Sequence, residues 1–453
     1  MNESAELLSP DGQQLLDWLS GQEVSPDRAL RLAKELRGRY PASLIAAALT
    51  QQSLRVAARE KFSRADAMLF TRAGLEQASS ELAAGHSARR FADLGIVADL
   101  CCGIGGNLAA LASVAPQVLA VDADLTNLQF ALWNLAVSGA RGTVTPVCSD
   151  VRDLVLGGRR ASHAGLPASA PTGVAAVFID PARRAGDRRL RAGNSQPPLD
   201  WCLNLATQVP GVGIKAAPGL PHELVPAGWE SEFVAVGCDL KEALLWSPVL
   251  ATTERRATIL PTGDTLCSRP GPPVPVAAPG EYLLDPNPAV TRSGLVAELA
   301  RDLDAWQIDP MIAFLSADKP VSTPFARTLR VLESMPWHER HAARKLRDLG
   351  IGSADIRRRG LAGDVEQIHR RLGLRGDKSA TIVLTRREGK PWGLICAAVP
   401  APAPGPVAPA PAPTAPGSAA PTSAAPRPTD ALRLRGWARR LGVPAAATER
   451  RPD

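Results

Sequence analysis

The stretch Asp99-Leu100-Cys101-Cys102-Gly103-Ile104-Gly105-Gly106-Asn107 joins a short apolar run, Ile96-Val97-Ala98, to a helical pattern that starts at Leu108-Ala109-Ala110-Leu111-Ala112. Gly103, Gly105 and Gly106 make a tight turn between a buried strand and a helix. Without Cβ atoms the turn lets a ligand approach the backbone, and the N–H groups that open the helix have no partner within it. Strand, glycine turn and helix together form a seat for an anion or a nucleotide.

From Phe91 onward strands and helices alternate, the mark of a parallel sheet covered on both faces and so of an α/β fold. Val118-Leu119-Ala120-Val121 ends in Asp122 and Asp124, and Thr143 to Cys148 is closed by Ser149-Asp150. Val174 to Ile179 delivers Asp180-Pro181-Ala182-Arg183-Arg184, and Val212-Gly213-Ile214-Lys215 is a fifth strand. Glu232 to Val236 and Ala257 to Leu260 add a terminal pair. Each polar cluster sits at the carboxyl end of a strand, the edge of an open parallel sheet where ligands bind.

A chain of 453 residues implies two or three domains. Residues 1–90 read as a helical N-terminal domain, with apolar residues at helical spacing and a helix start at Ser25-Pro26-Asp27. Residues 91–260 hold the alternating pattern, 261–325 form a Pro-rich connecting segment with helix only around Gly294 to Ala305, and 326–398 form a small basic α+β unit. Residues 399–428 are almost wholly Ala, Pro, Gly, Ser and Thr, the composition of a disordered linker, and 429–453 form a basic tail. No apolar run is long enough to span a bilayer, so no membrane partner is expected. The polar N-terminus lacks a signal pattern, and a cytoplasmic protein is expected. Seven cysteines without a CxxC pair or a histidine cluster argue against a disulfide framework and against a metal site.

Charge is placed unevenly. Residues 326–398 carry 16 Lys and Arg against 8 Asp and Glu, which leaves the rest of the chain near neutrality. A local basic excess points to an anionic partner, with RNA expected and a merely solvated basic face as the alternative.

The glycine turn admits two ligand classes. A dinucleotide needs GxGxxG, and here Leu108 stands at the third glycine, although Asp122 occupies the place of a ribose acid. S-adenosylmethionine has no phosphate; it needs close backbone approach, an acid for its ribose hydroxyls and an acid near the adenine. Asp99, Asp122 and Asp150 fit that second set better. Cys101 and Cys102 read as packing beneath the turn, with Cys101 at the border of the donor.

With Val121-Asp122-Ala123-Asp124, Asn134 and Asp180-Pro181, the glycine stretch resembles the class I S-adenosylmethionine-dependent methyltransferases, and within them the trimethylguanosine-synthase-like RNA methyltransferases. The basic unit at 326–398 is similar to the THUMP-like domain that accompanies such bacterial enzymes. The resemblance implies a Rossmann-like sheet with S-adenosylmethionine as cofactor, Gly103 and Gly105 along its methionine part, Asp122 on its ribose and Asp150 on its adenine amine. It also implies that Met68-Leu69-Phe70-Thr71 closes over the donor, so that Phe70 and Thr71 join the binding set; the residues alone favour helix packing.

Asp180 and Pro181 are the expected catalytic pair. Enzymes that methylate exocyclic amines carry Asp, Asn or Ser, two prolines and an aromatic; here Ala182 and Arg183 replace the second proline and the aromatic. Asp180 can still accept a hydrogen bond from an amine, while Arg183 and Arg184 can clamp a phosphate or lie flat on a base. Lys215 is expected either to touch acceptor or phosphate or to be a surface lysine. Methyl transfer to an amine needs mainly positioning, and Cys202 lies in no recognisable motif for a cysteine nucleophile. The expected activity is methylation of a base in RNA; the alternatives are an inactive donor-binding RNA-binding protein and a methyltransferase for a small molecule or protein.

Overall fold

The computed structural model describes residues 3–22, 24–154, 156–157, 173–182, 184–185, 188–189, 195–361 and 364–399. The Ala/Pro stretch from residue 400 and the basic tail lie outside them. Among the described residues no helix is long and apolar enough to cross a membrane. The described chain divides into two compact units, the first formed by residues up to Ala216 with Trp246–Leu250, the second by Ala217–Leu245 with Ala251 and the described residues after it.

The first unit opens with helices α1 (Pro10–Ser20), α2 (Pro26–Leu36), α3 (Ala42–Ala58), α4 (Arg72–Gln77) and α5 (Glu81–Ala88). Ser9 and Ser25 cap the first two, each accepting from a backbone N–H three residues on, ahead of a proline at the first helical position. Then come β1 (Ile96–Leu100), α6 (Leu108–Val114), β2 (Gln117–Asp122), α7 (Leu125–Ser138), β3 (Thr143–Cys148), β4 (Val174–Ile179), the two-residue strands β5 (Arg184–Ala185) and β6 (Arg188–Arg189), α8 (Leu199–Asn204) and β7 (Gly211–Ala216). In this unit the sheet order is β7-β4-β1-β2-β3, with every neighbouring pair parallel. Order reverses between β1 and β4, so the crevice at their carboxyl ends is the switch point at which such sheets bind ligands.

The helices before residue 90 share their core with the sheet's own helix. Leu15, Leu16 and Leu19 of α1 and Leu44, Ile45 and Ala48 of α3 cluster with Phe130 and Val137 of α7. Sequence periodicity separates residues 1–90 from the segment that follows; apolar packing joins them in one unit. Met68, Leu69 and Phe70 belong to the same cluster, buried to 6%, 0% and 2% exposure. Their backbone is clamped from three sides. Arg55 donates to the Met68 carbonyl at 3.0 Å, and the Phe70 N–H donates to Gln51 at 3.3 Å. Asn134 accepts from the Leu69 N–H and donates to the Leu69 carbonyl, both at 2.8 Å. The segment expected to close over the donor is thus built as a fixed strut in the core.

The second unit contains β8 (Glu230–Val236), β9 (Asp239–Trp246, whose last residue belongs to the first unit), β10 (Arg255–Leu260) and β11 (Asp264–Cys267), in the order β11-β10-β8-β9. The expected pair β8 and β10 lie side by side and parallel. Next follow β12 (Tyr282–Pro286), α9 (Pro288–Ser293), α10 (Val296–Asp302), β13 (Trp306–Gln307), β14 (Leu315–Ala317), β15 (Ala326–Pro336), α11 (Glu339–Asp348), β16 (Ile351–Arg358), α12 (Val365–Leu372), β17 (Lys378–Arg387) and β18 (Lys390–Ala398). They build a seven-stranded sheet, β13-β14-β12-β15-β18-β17-β16. The Pro-rich segment 261–325 therefore supplies four strands and two helices, where one helix was expected. Its prolines stand between elements or at their ends, such as Pro286 at the end of β12 and Pro288 opening α9, where a missing N–H costs little. Along β17 the side chains alternate between faces: Ile382 and Leu384 pack with α11 and α12, Val383 with Leu283, Phe314 and Leu394.

Candidate active site

A cavity of about 400 Å³ opens in the first unit, lined by the glycine turn, by Asp122, Asp150 and Asp180, and by α4. The turn is held by its own backbone and by one carboxylate. Cys102 N–H donates to the Val121 carbonyl at 3.0 Å and Gly105 N–H to the Cys102 carbonyl at 2.9 Å. Asp122 accepts the Gly103 N–H on one oxygen at 2.8 Å and the Asp124 N–H on the other at 2.9 Å. Cys101, Gly103 and Gly105 all take left-handed backbone angles, at φ 59°, 54° and 85°, a run that glycine adopts freely and cysteine only when its surroundings hold it.

The three glycines have different jobs. A Cβ at Gly103 would meet nothing within 4 Å; one at Gly105 would lie 3.0 Å from the Ala131 Cα, and one at Gly106 3.2 Å from the Ala78 Cβ. Gly103 thus keeps space open in the cavity wall, and the other two let the turn sit against α7 and the end of α4. Asn134 completes the mount by donating to the Ile104 carbonyl at 2.9 Å, which ties the turn to the strut at Leu69.

The four expected acids stand in different environments. Burial pushes Asp122 above the ordinary carboxylate range, opposed by the N–H groups of Asp124 and Gly103. Asp150 is gripped by Arg152 through two side-chain bonds at 2.9 and 2.5 Å, which hold its carboxyl down to about 2. Asp180 lines the cavity and accepts from Lys215 Nζ at 2.7 Å and from Asn107 at 3.5 Å, both on Oδ2. Asp99 is wholly buried outside the cavity wall, with no hydrogen bond to either oxygen among the described residues. Burial, then the Asp180 and Asp122 charges, push it well above the carboxylate range, against the pull of Lys215.

Several expected site residues fall elsewhere. Phe70 is core and not part of the cavity wall. Thr71 also stands behind the wall; it caps α4 by accepting the Gly74 N–H at 3.0 Å, and its hydroxyl donates to Asn127 at 3.3 Å. Lys215 is 3% exposed, so it is no surface lysine; it is bonded to Ser79 Oγ and Asp180, both at 2.7 Å. Cys101, Cys102 and Pro181 do line the cavity. Arg183 and the side chain of Arg184 lie outside the described residues. Burial raises the thiols of Cys101 and Cys102 and pushes Cys202 up to about 12, so none of the three is poised as a thiolate nucleophile. Asn107, Asn127, Gln196 and the α4 residues Gly74 and Gln77 also line the cavity. The only signal for any of them in the sequence was the place of Asn107, next to the glycines.

The wall suits a cation better than a phosphate. It presents Asp122, Asp150 and Asp180 with Arg152 already engaged by Asp150, a balance that repels a pyrophosphate and attracts a sulfonium and an amino group. The open space at Gly103 and the carboxylate at Asp122 fit the same ligand.

Comparison with known proteins agrees. Residues 94–175 match the RNA cap guanine-N2 methyltransferase family, residues 326–398 the THUMP domain-like family, and residues 1–58 a domain of unknown function. An S-adenosylmethionine-dependent methyltransferase found in two strains of Mycobacterium tuberculosis is 36% identical over 325 residues, 70% of this chain and 84% of that protein. A methyltransferase structure from Porphyromonas gingivalis W83 shares the fold, with a TM-score of 0.63 at 19% identity over 84% of this chain and 96% of that one. With its parallel sheet, its glycine turn and this degree of identity, the chain belongs to the S-adenosylmethionine-dependent methyltransferases and takes S-adenosylmethionine as its methyl donor.

Proposed function

We propose that the chain methylates an exocyclic amine of a base in RNA. The observation that carries this reading is the state of Asp180: both of its hydrogen bonds engage Oδ2, and Oδ1 takes none among the described residues, in a residue that lines the cavity. A carboxylate oxygen so placed accepts an N–H from an amine and aims the nitrogen lone pair. S-adenosylmethionine would supply an electrophilic methyl group on its sulfonium, whose sulfur leaves with the bonding pair as a neutral thioether. In this reading Gly103 leaves room for its methionine part while Gly105, expected beside it, packs the turn against α7; Asp122 accepts from its ribose hydroxyls, and Asp150 lies at its adenine. Asp180 orients the acceptor and stabilises the positive charge that grows on its nitrogen.

The test is transfer of tritiated methyl groups into fractionated cellular RNA, followed by nucleoside analysis. Label in an N-methylated base is expected, and Asp180→Asn is expected to lower transfer about 100-fold with donor affinity unchanged. Label found only in protein or small molecules, or binding of donor without any transfer, overturns the reading.

RNA capture is assigned to the second unit. Arg340, Arg344 and Arg347 of α11 are exposed at the spacing of one helix face, and Arg370 and Arg371 of α12 are exposed as well. Removal of charge tests this better than excision, since β15 pairs with β12 and deleting 326–398 would strip four strands from the seven-stranded sheet. Replacing Arg340, Arg344 and Arg347 with Ala is expected to weaken RNA binding and flatten the plot of log affinity against log salt by about 2, at ~0.7 per lost phosphate contact. An unchanged slope would place the RNA elsewhere.

A further inference from the structure

Lys215 is the charged group of this site that a methyl transfer does not obviously need. It sits at the end of β7, one residue beyond the Ile179–Ile214 pair that joins β7 to β4, so it stands across from Asp180. It is 3% exposed and outside the cavity wall. A buried ammonium is costly unless its partners are close and well aligned, and here they are, with Ser79 Oγ at 2.7 Å and Asp180 Oδ2 at 2.7 Å. Ser79 lies between α4 and α5, next to the wall that Ala78 supplies. One ammonium therefore ties the α4 side of the cavity to the acceptor side.

We infer that Lys215 is a positioning residue for methyl transfer: it anchors Asp180 by Oδ2 so that Oδ1 is presented to the acceptor amine. The inference rests on the reading of Asp180 given above. Without the anchor the Asp180 carboxylate can rotate, and it loses its ammonium partner in a place that the charges of Asp122 on β2 and the buried Asp99 on β1 also reach. Asn107 alone, at 3.5 Å, is too long a contact to fix it. The competing role is purely structural, a counter-charge that keeps the buried acids folded.

The two roles separate in single-turnover transfer measured beside donor affinity in the full chain. Lys215→Met is expected to lower the transfer rate about 10- to 100-fold, the kinetic equivalent of one hydrogen bond to a charged group, and to leave the donor dissociation constant within about threefold. Placed on Asp180→Asn it is expected to add less than about threefold, since the group it positions is already gone. Ser79→Ala, which removes one partner of the lysine, is expected to slow transfer a few-fold. Should Lys215→Met fail to fold, Ser79→Ala and the Asp180→Asn/Lys215→Met double variant, which removes both charges, carry the comparison. The inference is overturned if folded Lys215→Met transfers at the native rate, if donor affinity falls in step with transfer, or if the two substitutions multiply. Loss of transfer in Asp180→Asn with none in Lys215→Met sinks this inference alone, whereas native transfer in Asp180→Asn removes the reading beneath it.

Discussion

Replacing Asp122 with Ala is expected to weaken donor binding about a thousandfold, as measured by titration calorimetry on protein shown to be folded. Two losses combine. In the proposed reading the carboxylate accepts from the donor's ribose hydroxyls, and hydrogen bonds to a charged acceptor contribute ~1.5–3 kcal/mol each. The same oxygens accept the N–H groups of Gly103 and Asp124, so the glycine turn loses its pin and must be ordered again when donor binds. Asp122→Asn, which keeps one acceptor oxygen, is expected to fall between. Asp150→Ala is expected to cost less, because that carboxylate is already satisfied by Arg152 and stands nearer to solvent. Acid should weaken binding through Asp122 first. Its raised pKa means that protonation removes the acceptor at a pH where Asp150, held near 2, is still charged. Donor affinity within tenfold of native in folded Asp122→Ala would assign the ribose to another group.

The parts of the site that were legible in the sequence are those set by local rules. Strand ends, the glycine turn and the acids that follow the strands are written within a few residues of one another, and the parallel order follows from strand and helix alternation. What was hidden depends on contacts across long stretches of chain. Lys215 reads as a solvent or phosphate lysine until β7 is laid beside β4. Arg55 and Gln51, polar residues of α3, are only 4% and 1% exposed, because α3 turns them onto the backbone of residues 68–70. Phe70 is placed at the donor by the family resemblance alone; the residues themselves favour helix packing, and Arg55 and Gln51 hold the segment in the core. Asp99 shows the opposite limit, since its place before the turn was plain and its complete burial was not. In the second unit, prolines at element ends masked β12 to β14.

Gly105→Val is expected to remove most of the stability of the first unit, and with it all donor binding. The residue holds φ 85°, and an added Cβ would stand 3.0 Å from the Ala131 Cα and 3.1 Å from its Cβ. The neighbour is helix backbone, buried to 0% exposure at Ala131, so it cannot swing aside as a side chain would. A left-handed conformation costs a β-branched residue ~1–3 kcal/mol, and forcing atoms into a packed core adds ~1–3 kcal/mol. Together these approach the ~5–15 kcal/mol that holds a typical domain together, and the denaturation midpoint should fall accordingly. Gly103→Ala makes the contrast. It shares the left-handed angle, at φ 54°, but its Cβ would enter open space, so the fold should lose only about 1–2 kcal/mol while the new methyl group occupies the cavity wall and excludes donor. If both variants unfold alike, the opening at Gly103 is structural; if Gly105→Val keeps its midpoint, the turn is not braced on α7.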